Sequence, residues 1–399
     1  MFSFKQKIDT DERKIDELLT RGVDEVIHKE SLKKKLLSGK KLRIKLGIDP
    51  TSPNLHLGRA VPLLKLRDFQ KLGHQIVLII GDGTGVVGDT SDKDSERPML
   101  SKSDVENNMK TYFEQAGAVL DMGKVEKRRN SEWLHKLTYV EIGEHANQFS
   151  VADFTARENI KKRLDEGKRV SLREMLYPLM QGYDSVAIEA DVELGGTDQR
   201  FNLLAGRELQ EHFKQERQDI VMTPLINGTD GRKMSSSWGN TVNLTEEPGE
   251  MYGKVMSTND DVMPMYFTNL TRIPIEEVEE IIKGIKEGTV SMRDTKMRLA
   301  HEIVSIFHDS EKADVAQKQF VDKFQRKETP DDVKKVSGGG LLVDVFLKEG
   351  TVESKTDFKR LVGDGAITNQ TTNEKVSDIE APATKGVYKI GKHRFIEII

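Results

Sequence analysis

The chain has 399 residues, of which 36% are hydrophobic and 32% are charged, and its formal net charge is −4. This length predicts more than one domain, and the small negative charge excludes a protein that coats nucleic acid through a positive field over its whole surface. The sequence contains no cysteine, which excludes disulfides, thiolate metal sites and a cysteine nucleophile. Its charged N-terminal residues and strand-sized apolar runs predict a cytoplasmic protein with no secretory signal and no membrane partner.

The first part of the chain predicts alternating helices and strands. Apolar residues recur at helical spacing over residues 10 to 28, which predicts an amphipathic helix. Residues 43 to 48 read as a strand, a helix follows from about Leu57, and residues 76 to 80 form a continuous apolar strand of the kind found in buried parallel sheets. A strand, a helix and a strand in this order favour a parallel α/β sheet.

The remaining segments divide the chain further. Another strand is predicted near Val221, and residues 245 to 325 read as mainly helical. The charged and glycine-rich stretch over residues 325 to 340 predicts a domain boundary, followed by a module of about sixty residues that is large enough to fold. The predicted organisation is an N-terminal helix (1–30), a parallel-sheet domain (31–225), a loop with a helical domain (226–328) and a small C-terminal domain (336–399).

The first candidate site lies between the predicted strand at 43 to 48 and the helix after it. Asp49 and Thr51 follow the strand, and His56, Gly58 and Arg59 stand where the helix begins. A helix N-terminus offers free N–H groups to an anion such as phosphate, and a histidine can donate a hydrogen bond to a phosphate oxygen. An ordinary surface loop is the alternative, but the position at the first strand–helix crossover favours a ligand site.

The second candidate site is the glycine-rich segment over residues 81 to 89. It contains a formal G-x-G-x-x-G, but a dinucleotide-binding loop needs a helix that opens at the glycines, and a polar loop follows here. We therefore predict a tight turn that holds Asp89 toward a ligand, then a loop whose Lys93 and Arg97 bind a pyrophosphate leaving group. A solvated charged loop is the alternative.

A polar stripe forms the third candidate site. Tyr177, Gln181 and Asp184 are spaced by four and three residues, which places them on one side of a helix predicted to start at Pro178. Such a stripe can line a pocket for a polar small molecule, and a solvent-exposed face is an equally open alternative.

Two further loops complete the set of candidates. The glycine turn at residues 195 to 199 presents Asp198 and Gln199, and an acidic residue in such a turn can hold ribose hydroxyls. The Gly/Ser loop at residues 231 to 237 carries Lys233, which can move onto charge that develops at a transferring phosphoryl group. A plain turn and a basic surface loop are the respective alternatives.

Several familiar motifs are absent from the sequence. It has no G-x-x-x-x-G-K-[ST] phosphate loop and no G-x-S-x-G nucleophile elbow. His301 and Glu302 are followed by Ser305 where a zinc helix needs its second histidine. We therefore predict neither a P-loop enzyme nor a metal site built from protein ligands.

Taken in order, these segments resemble the class I aminoacyl-tRNA synthetases. HLGR at residues 56 to 59 resembles the HIGH motif of that family, and KMSSS at residues 233 to 237 resembles its KMSKS loop. The segments GIDPT, TGVVGDTSDKDSER, YPLMQGYD and LGGTDQ are similar to those of the tyrosyl members. The resemblance implies a Rossmann-like parallel-sheet catalytic domain, a helical domain, and a homodimer.

The C-terminal segment resembles an S-four-type RNA-binding fold, a small α+β domain. Bacterial tyrosyl enzymes carry such a domain, where it binds tRNA, and the tryptophanyl enzymes, which are the nearest rival interpretation, do not. The resemblance implies that Lys355, Lys359 and Arg360, which lie on adjacent positions of a predicted helix, contact tRNA phosphates.

The resemblance also assigns roles to the candidate residues. Thr51 and His56 would contact the ATP phosphates, while Lys93, Arg97 and Lys233 would hold pyrophosphate. The other nucleotide ligands would be Asp49, Gly58, Arg59, Asp198 and Ser236. The tyrosine ligands would be Asp89, Asn130, Tyr177, Gln181, Gln199 and, at the phenol hydroxyl, Asp184. ATP with Mg²⁺, L-tyrosine and tRNA(Tyr) would be the partners, with no prosthetic group.

Three residues depart from the family pattern. Arg59 replaces the second histidine of HIGH, Ser236 replaces the second lysine of KMSKS, and Lys45 stands where one branch of tyrosyl enzymes has a tyrosine. A non-catalytic RNA-binding paralogue is therefore the rival interpretation from another class of protein. The retention of His56 and Lys233, together with the acidic candidates, argues against it.

Overall fold

The structure is a computed structural model that describes residues 7–91, 99–328, 333–372, 374–391 and 394–399. The chain divides into two compact units, Met1–Ala316 and Gln317–Ile399. The division falls within one long helix, Ser310–Glu328. The four predicted domain limits stay predictions.

The first unit is built on a mainly parallel sheet. Its strands are β1 (Glu25–Ile27), β2 (Arg43–Ile48), β3 (Gln75–Ile80), β4 (Val125–Arg129), β5 (Val192–Gly196) and β6 (Asp219–Thr223). Their order is β1-β6-β5-β2-β3-β4, and only the β1–β6 pair of this described sheet is antiparallel. The sheet therefore continues from β2 to β3 and β4 on one side, and from β5 to β6 and β1 on the other. Ligands of open α/β sheets bind beyond the carboxyl ends of the strands at such a switch point.

Helices cover both sides of the sheet and continue beyond it. They are α1 (Glu12–Leu18), α2 (Lys29–Leu37), α3 (Leu57–Lys71), α4 (Thr84–Val87), α5 (Lys102–Met109), α6 (Tyr112–Ala116), α7 (Ser131–Leu134), α8 (Tyr139–Ala146), α9 (Val151–Thr155), α10 (Glu158–Asp165), α11 (Leu172–Ala187), α12 (Arg200–His212), α13 (Pro248–Ser257), α14 (Met263–Leu270), α15 (Ile275–Glu287), α16 (Met292–Phe307) and α17 (Ser310–Glu328). Single 3₁₀ turns span Thr197–Gln199, Ser236–Trp238 and Asp260–Val262. Within the described ranges, no helix has the length and apolar character needed to cross a membrane.

The centre of the sheet confirms the predicted parallel α/β fold. Strands β2 and β3 pair in parallel over their full lengths, and Ile44 and Ile76 are opposite one another and fully buried. Continuous apolar strands of this kind are covered on both faces. Helix α3 begins at Leu57, as predicted, and ends before Gly73, whose φ of 99° suits only glycine without strain.

The second unit has a small sheet of its own. Its elements are β7 (Lys335–Val336), α18 (Leu342–Lys348), α19 (Lys355–Gly363), β8 (Ile367–Asn369), β9 (Glu374–Lys375), β10 (Gly386–Ile390) and β11 (Arg394–Ile398). The strand order among its described residues is β7-β11-β10-β8-β9. Phe346 packs edge-on against Phe358 and Tyr388, with ring centroids 5.9 and 5.7 Å away, at the middle of a buried apolar core. This is a small α+β unit, as predicted.

The predicted N-terminal helix is wrong in its extent. The helix ends at Leu18, and Glu25–Ile27 form β1 because they pair with the edge of the sheet, Val26 opposite Val221. Sheet pairing supplies backbone hydrogen bonds that helical periodicity alone does not anticipate.

Two helix starts also differ from prediction. Helix α11 begins at Leu172, not at Pro178, because Ser171 and Glu174 form a complete capping box, and the proline is accommodated inside the helix. One helical turn, α4, forms within the glycine-rich segment, where we predicted only a tight turn. The polar residues described directly after Gly88 are not helical, so the argument against a dinucleotide loop is unchanged.

Candidate active site

A solvent-open cleft lies at the carboxyl ends of the central strands. It brings together candidate residues from all five sequence segments. The predicted ligands that line it are Asp49, Thr51, His56, Gly58, Arg59, Asp89, Asn130, Tyr177, Gln181, Asp184, Asp198, Gln199, Lys233 and Ser236. Lys93 and Arg97 lie outside the described residues. Lys355, Lys359 and Arg360 lie in the second unit, on or next to the exposed side of α19.

His56 caps helix α3 and is held in one tautomer. Its Nδ1 accepts the backbone N–H of Gly58 at 3.1 Å, so the ring proton of the neutral form resides on Nε2. Burial, with the nearby charges of Arg59 and Lys233, lowers the pKa of His56 to about 3. The side chain is therefore a neutral hydrogen-bond donor at physiological pH. A Cβ at Gly58 would press against the imidazole, which explains the glycine.

Asp49 connects two of the sequence motifs. Its Oδ1 accepts the hydroxyl of Thr84 at 2.7 Å, and its Oδ2 accepts the hydroxyl of Tyr177 at 2.8 Å. Desolvation raises the pKa of Asp49 to about 6, although both hydrogen bonds and Arg59 oppose the shift. A side chain at Gly81 would collide with the Asp49 carboxylate. The glycine-rich segment thus gives this carboxylate room at the end of β2.

Asp184 is a buried acceptor within the cleft lining. Its side chain accepts a hydrogen bond from Trp133 Nε1 at 2.7 Å and another from Asn130 Nδ2 at 3.2 Å. The residue is 3% exposed, and desolvation raises the pKa of its carboxyl to about 7. Asn130 also donates to Thr84 Oγ1, so both of its amide protons are directed at protein groups.

A third acidic group of the cleft, Asp89, follows the glycine-rich turn. Gly88 has a φ of 81°, and the turn aims Asp89 at Gln199, whose Nε2 donates to Asp89 Oδ2 at 2.6 Å. Gln199 in turn accepts a hydrogen bond from Asn202 at 2.9 Å. The predicted turn and the LGGTDQ segment therefore meet at one corner of the cleft.

The loop at residues 233 to 237 lies against the start of α3. The N–H of Gly58 approaches the sulfur of Met234 at 3.3 Å, and the hydroxyl of Ser236 lies 3.3 Å from that of Ser52. Lys233 Nζ lies 3.0 Å from Asp198 Oδ2 in a partly exposed ion pair. The two motifs that define the family resemblance are thus in contact.

Sequence reasoning missed three residues that line the cleft or support its lining. Thr84 joins Asp49 to Asn130, Trp133 holds Asp184, and Glu193 forms a buried ion pair with Lys45. Trp133 lies in a segment of mixed polar and apolar residues, where a lone tryptophan favours a core position, and Thr84 lies in the glycine-rich segment, where the sequence favours a turn. The charge of Glu193 inside an apolar strand was the one signal that could have drawn attention to it.

A parallel sheet with these two motifs in contact at its switch point defines the catalytic domain of a class I aminoacyl-tRNA synthetase. The model of the family "tRNA synthetases class I (W and Y)" matches residues 37–325, and the chain belongs to this family. The chain is 46% identical over 387 residues to the tyrosine–tRNA ligase of Thermotoga maritima, with 96% of each chain covered. It is 44% identical over 401 residues to that of Carboxydothermus hydrogenoformans, covering 96% of this chain and 97% of the relative.

Solved structures agree on the fold. A C-terminally truncated mitochondrial tyrosyl-tRNA synthetase of Aspergillus nidulans superposes with a TM-score of 0.65 at 22% identity, covering 78% of this chain and 94% of that one. The tyrosyl-tRNA synthetase of Archaeoglobus fulgidus, complexed with L-tyrosine, gives a TM-score of 0.62 at 23% identity, covering 76% and 99%. The predicted class I fold is confirmed.

Proposed function

We propose that this chain catalyses the two reactions of a tyrosine–tRNA ligase: it forms tyrosyl-adenylate and pyrophosphate from L-tyrosine and ATP, then transfers tyrosine to the 3′ end of tRNA(Tyr). The observation that carries the proposal is a buried carboxylate, Asp184, in the same cleft as His56 and Lys233. The part of the cleft near Asp184 would bind a phenol, and the part near His56 and Lys233 would bind phosphates. The whole-length relatives named above act on tyrosine and support the assignment.

The amino-acid end is polar and preorganised. Asp184 would accept the phenol hydroxyl proton, with Trp133 and Asn130 fixing the carboxylate in place. Asp89 and Gln181, both in the cleft lining, would bind the ammonium group. Tyr177, whose hydroxyl is held by Asp49, and Gln199, which is hydrogen-bonded to Asp89, would complete the site. A site that orients the bound amino acid in this way lowers the activation free energy of the reaction.

The nucleotide end supplies charge stabilisation. An oxygen of the tyrosine carboxylate attacks the α-phosphorus of ATP, the bond to the bridging oxygen breaks, and pyrophosphate leaves with the electron pair. The neutral His56 Nε2–H, with Thr51 beside it in the lining, would donate to phosphate oxygens as charge develops. Lys233 would leave Asp198 for the pyrophosphate, which frees that carboxylate for the ribose hydroxyls. Lys93 and Arg97 belong to the proposal through sequence alone.

ATP is a substrate of this family, and Mg²⁺ is proposed to enter with its phosphates. The described residues contain no group of three or more His, Asp or Glu side chains arranged to hold a metal ion. We therefore assign no step to a metal held by the protein.

The second unit is proposed to bind tRNA. Lys355, Lys359 and Arg360 are exposed at α19, which would let them reach a phosphate backbone. Acidic neighbours moderate the charge of this surface: Lys355 lies 3.6 Å from Asp344, and Arg360 lies 2.8 Å from Asp357. The contact is therefore expected to be modest and dependent on salt.

A homodimer in the cytoplasm is the proposed working form. Large apolar side chains are exposed on helices α8, α9 and α11, and four of them are more than two-thirds exposed: Tyr139, Val140, Val151 and Leu172. Burial of these side chains against a second copy of the chain, which the family resemblance implies, would remove them from water.

The decisive experiment is amino-acid-dependent ATP–pyrophosphate exchange with the purified chain. Exchange is expected with tyrosine and not with tryptophan, the other amino acid of this family. Exchange driven by tryptophan would contradict the tyrosine assignment, because an indole N–H can also donate to Asp184. The absence of exchange with every amino acid would favour the non-catalytic paralogue.

Arg59→His tests the departure at the second position of HIGH. Arg59 lines the cleft, and its charge acts on both Asp49 and His56, which indicates that the guanidinium faces the nucleotide end. A permanent cation at a helix N-terminus is unfavourable unless an anion sits there. We expect the KM for ATP to rise roughly tenfold in exchange assays, with the KM for tyrosine unchanged. An ATP KM equal to the parent value would show that arginine is only tolerated there.

A further inference from the structure

An ion pair between Lys45 and Glu193 lies inside the sheet at the switch point. The two residues are opposite one another on the parallel strands β2 and β5, with Lys45 Nζ 2.8 Å from Glu193 Oε1. Both side chains are buried, at 0% and 1% exposed. Gly47, on the same face of β2 two residues beyond Lys45, lines the cleft and has open space above it. The pair therefore lies just beneath the cleft.

The pair is hydrogen-bonded to the helix that carries the amino-acid ligands. Lys45 Nζ donates to the backbone oxygen of Gln181 and to Ser185 Oγ, both at 2.8 Å. Glu193 accepts the side-chain amide of Gln181 and the hydroxyl of Ser185, both at 3.1 Å. Lys45 therefore holds the backbone of Gln181 by a hydrogen bond, and Glu193 holds its side chain. Asp184 lies between these two anchored residues on α11.

Stability alone does not explain this arrangement. Two charges taken out of water gain little net stability, and apolar residues of similar volume usually serve as well. Both hydrogen bonds that Lys45 donates outside the pair go to residues that flank the amino-acid pocket, and so do two of those that Glu193 accepts. Gln218 Nε2 donates a further hydrogen bond to Glu193.

We propose that the Lys45–Glu193 pair is a positioning element that fixes Gln181 and Asp184 so that the pocket accepts a phenol and rejects a phenyl ring. The proposal rests on the proposed function and deepens it. Rejection of phenylalanine depends on leaving one acceptor position of Asp184 without a donor, beside the bonds from Trp133 and Asn130. A buried charge that lacks a donor costs far more than a neutral acid that lacks one. The cation of Lys45 lowers the pKa of Asp184, against the stronger effect of burial, and so favours the charged carboxylate.

The test is the double variant Lys45→Met/Glu193→Gln, which removes both charges and keeps unbranched side chains of similar volume. We expect the tyrosine KM to rise about 10- to 100-fold, as small misplacements in a preorganised site do, with the ATP KM within about twofold. The ratio of kcat/KM for tyrosine over phenylalanine is expected to fall about tenfold or more. The acid limb of the tyrosine kcat/KM profile is expected to move to higher pH, because Lys45 influences Asp184 more than Glu193 does.

The matched control is Lys35→Met/Asp219→Asn. Lys35 Nζ lies 3.0 Å from the buried Asp219 on β6, and neither residue lines the cleft. Loss of this pair is expected to change the melting temperature and to leave the tyrosine KM, the selectivity ratio and the pH profile at parent values. A purely structural role for the Lys45 pair would make the two double variants behave alike.

Ser185→Ala keeps the proposal testable if the first double variant does not fold. It deletes one hydroxyl that bridges Lys45 and Glu193 and leaves both charges in place. A threefold or larger fall in tyrosine over phenylalanine selectivity supports the proposal. An unchanged ratio in Ser185→Ala, or in a folded double variant, overturns it. Failure of the parent chain to use tyrosine in exchange would instead contradict the proposed function itself.

Discussion

His56→Ala is expected to lower the kcat of tyrosine-dependent ATP–pyrophosphate exchange by roughly 100- to 1,000-fold, the usual effect of deleting one donor to a developing anion. The KM for tyrosine is expected to change little, because the phenol and ammonium ligands come from other elements. Single-turnover formation of the adenylate measures this step without product release.

The expected size follows from how the imidazole is held. Nδ1 is occupied by the Gly58 N–H, and a pKa lowered to about 3 keeps the ring neutral, so Nε2–H is available as a fixed donor. The donor needs no change of protonation between pH 5 and 9. We therefore expect no acid limb that is assignable to this histidine in the pH profile.

His74→Ala is the matched control. His74 is also buried, accepts the Leu42 N–H at Nδ1 over 3.3 Å, and has a pKa lowered by burial to about 4, but it does not line the cleft. Its removal is expected to lower thermal stability and to leave kcat unchanged. A similar fall in kcat for both variants would indicate a general loss of structure and would remove His56 from the reaction.

Local sequence signals were sufficient for the elements that frame the site. Strand β3 is apolar from residue 76 to residue 80, and β2 has apolar side chains at every second position. Helix α3 has an acceptor side chain just before its first residue and a glycine two residues after its last. Each of these signals acts within a few residues, so it can be read without knowing the fold. Local signals also explain why the predicted start of α11 is wrong. A proline is a common first residue of a helix, but the capping box at Ser171 starts this helix earlier.

The contacts inside the cleft could not be predicted from the sequence. Asp49 meets Tyr177 from 128 positions away, and Asp184 meets Trp133 from 51 positions away. Such pairs depend on strand order and register, which periodicity does not specify. The family resemblance predicted which residues belong to the site. Only the structure shows that Asn130 directs its amide at Asp184 and that Lys233 rests on Asp198.

Asp184→Asn is expected to lower kcat/KM for tyrosine by about 10- to 150-fold, the value of a hydrogen bond to a charged group. The ratio of kcat/KM for tyrosine over phenylalanine is also expected to fall steeply. Tyrosyl-tRNA synthetases are themselves the standard example of such selectivity, with a discrimination of about 10⁵. Parallel exchange assays with tyrosine and phenylalanine measure both effects.

The control is Asp82→Asn. Asp82 follows β3 and, like Asp184, accepts two hydrogen bonds, here both from Ser131 at 2.9 and 2.7 Å, but it does not line the cleft. Its substitution is expected to leave selectivity at the parent value. Equal losses of selectivity in the two variants, or an unchanged ratio in Asp184→Asn, would take Asp184 out of the phenol site.

The raised pKa of Asp184, about 7, adds a prediction about the sign of two pH effects. Because the folded chain holds this proton more tightly than the unfolded chain, the contribution of Asp184 to stability is present below the unfolded pKa and is lost as pH rises through 7.

Tyrosine binding should change in the opposite direction, since the phenol donates to the charged carboxylate, and it should weaken as pH falls below 7. Calorimetry near pH 6.5 in buffers of different ionisation enthalpy should therefore detect proton release on tyrosine binding. Asp49, with a pKa of about 6, titrates nearby. The release belongs to Asp184 only if it disappears in Asp184→Asn, and release that persists in that variant would assign it to Asp49.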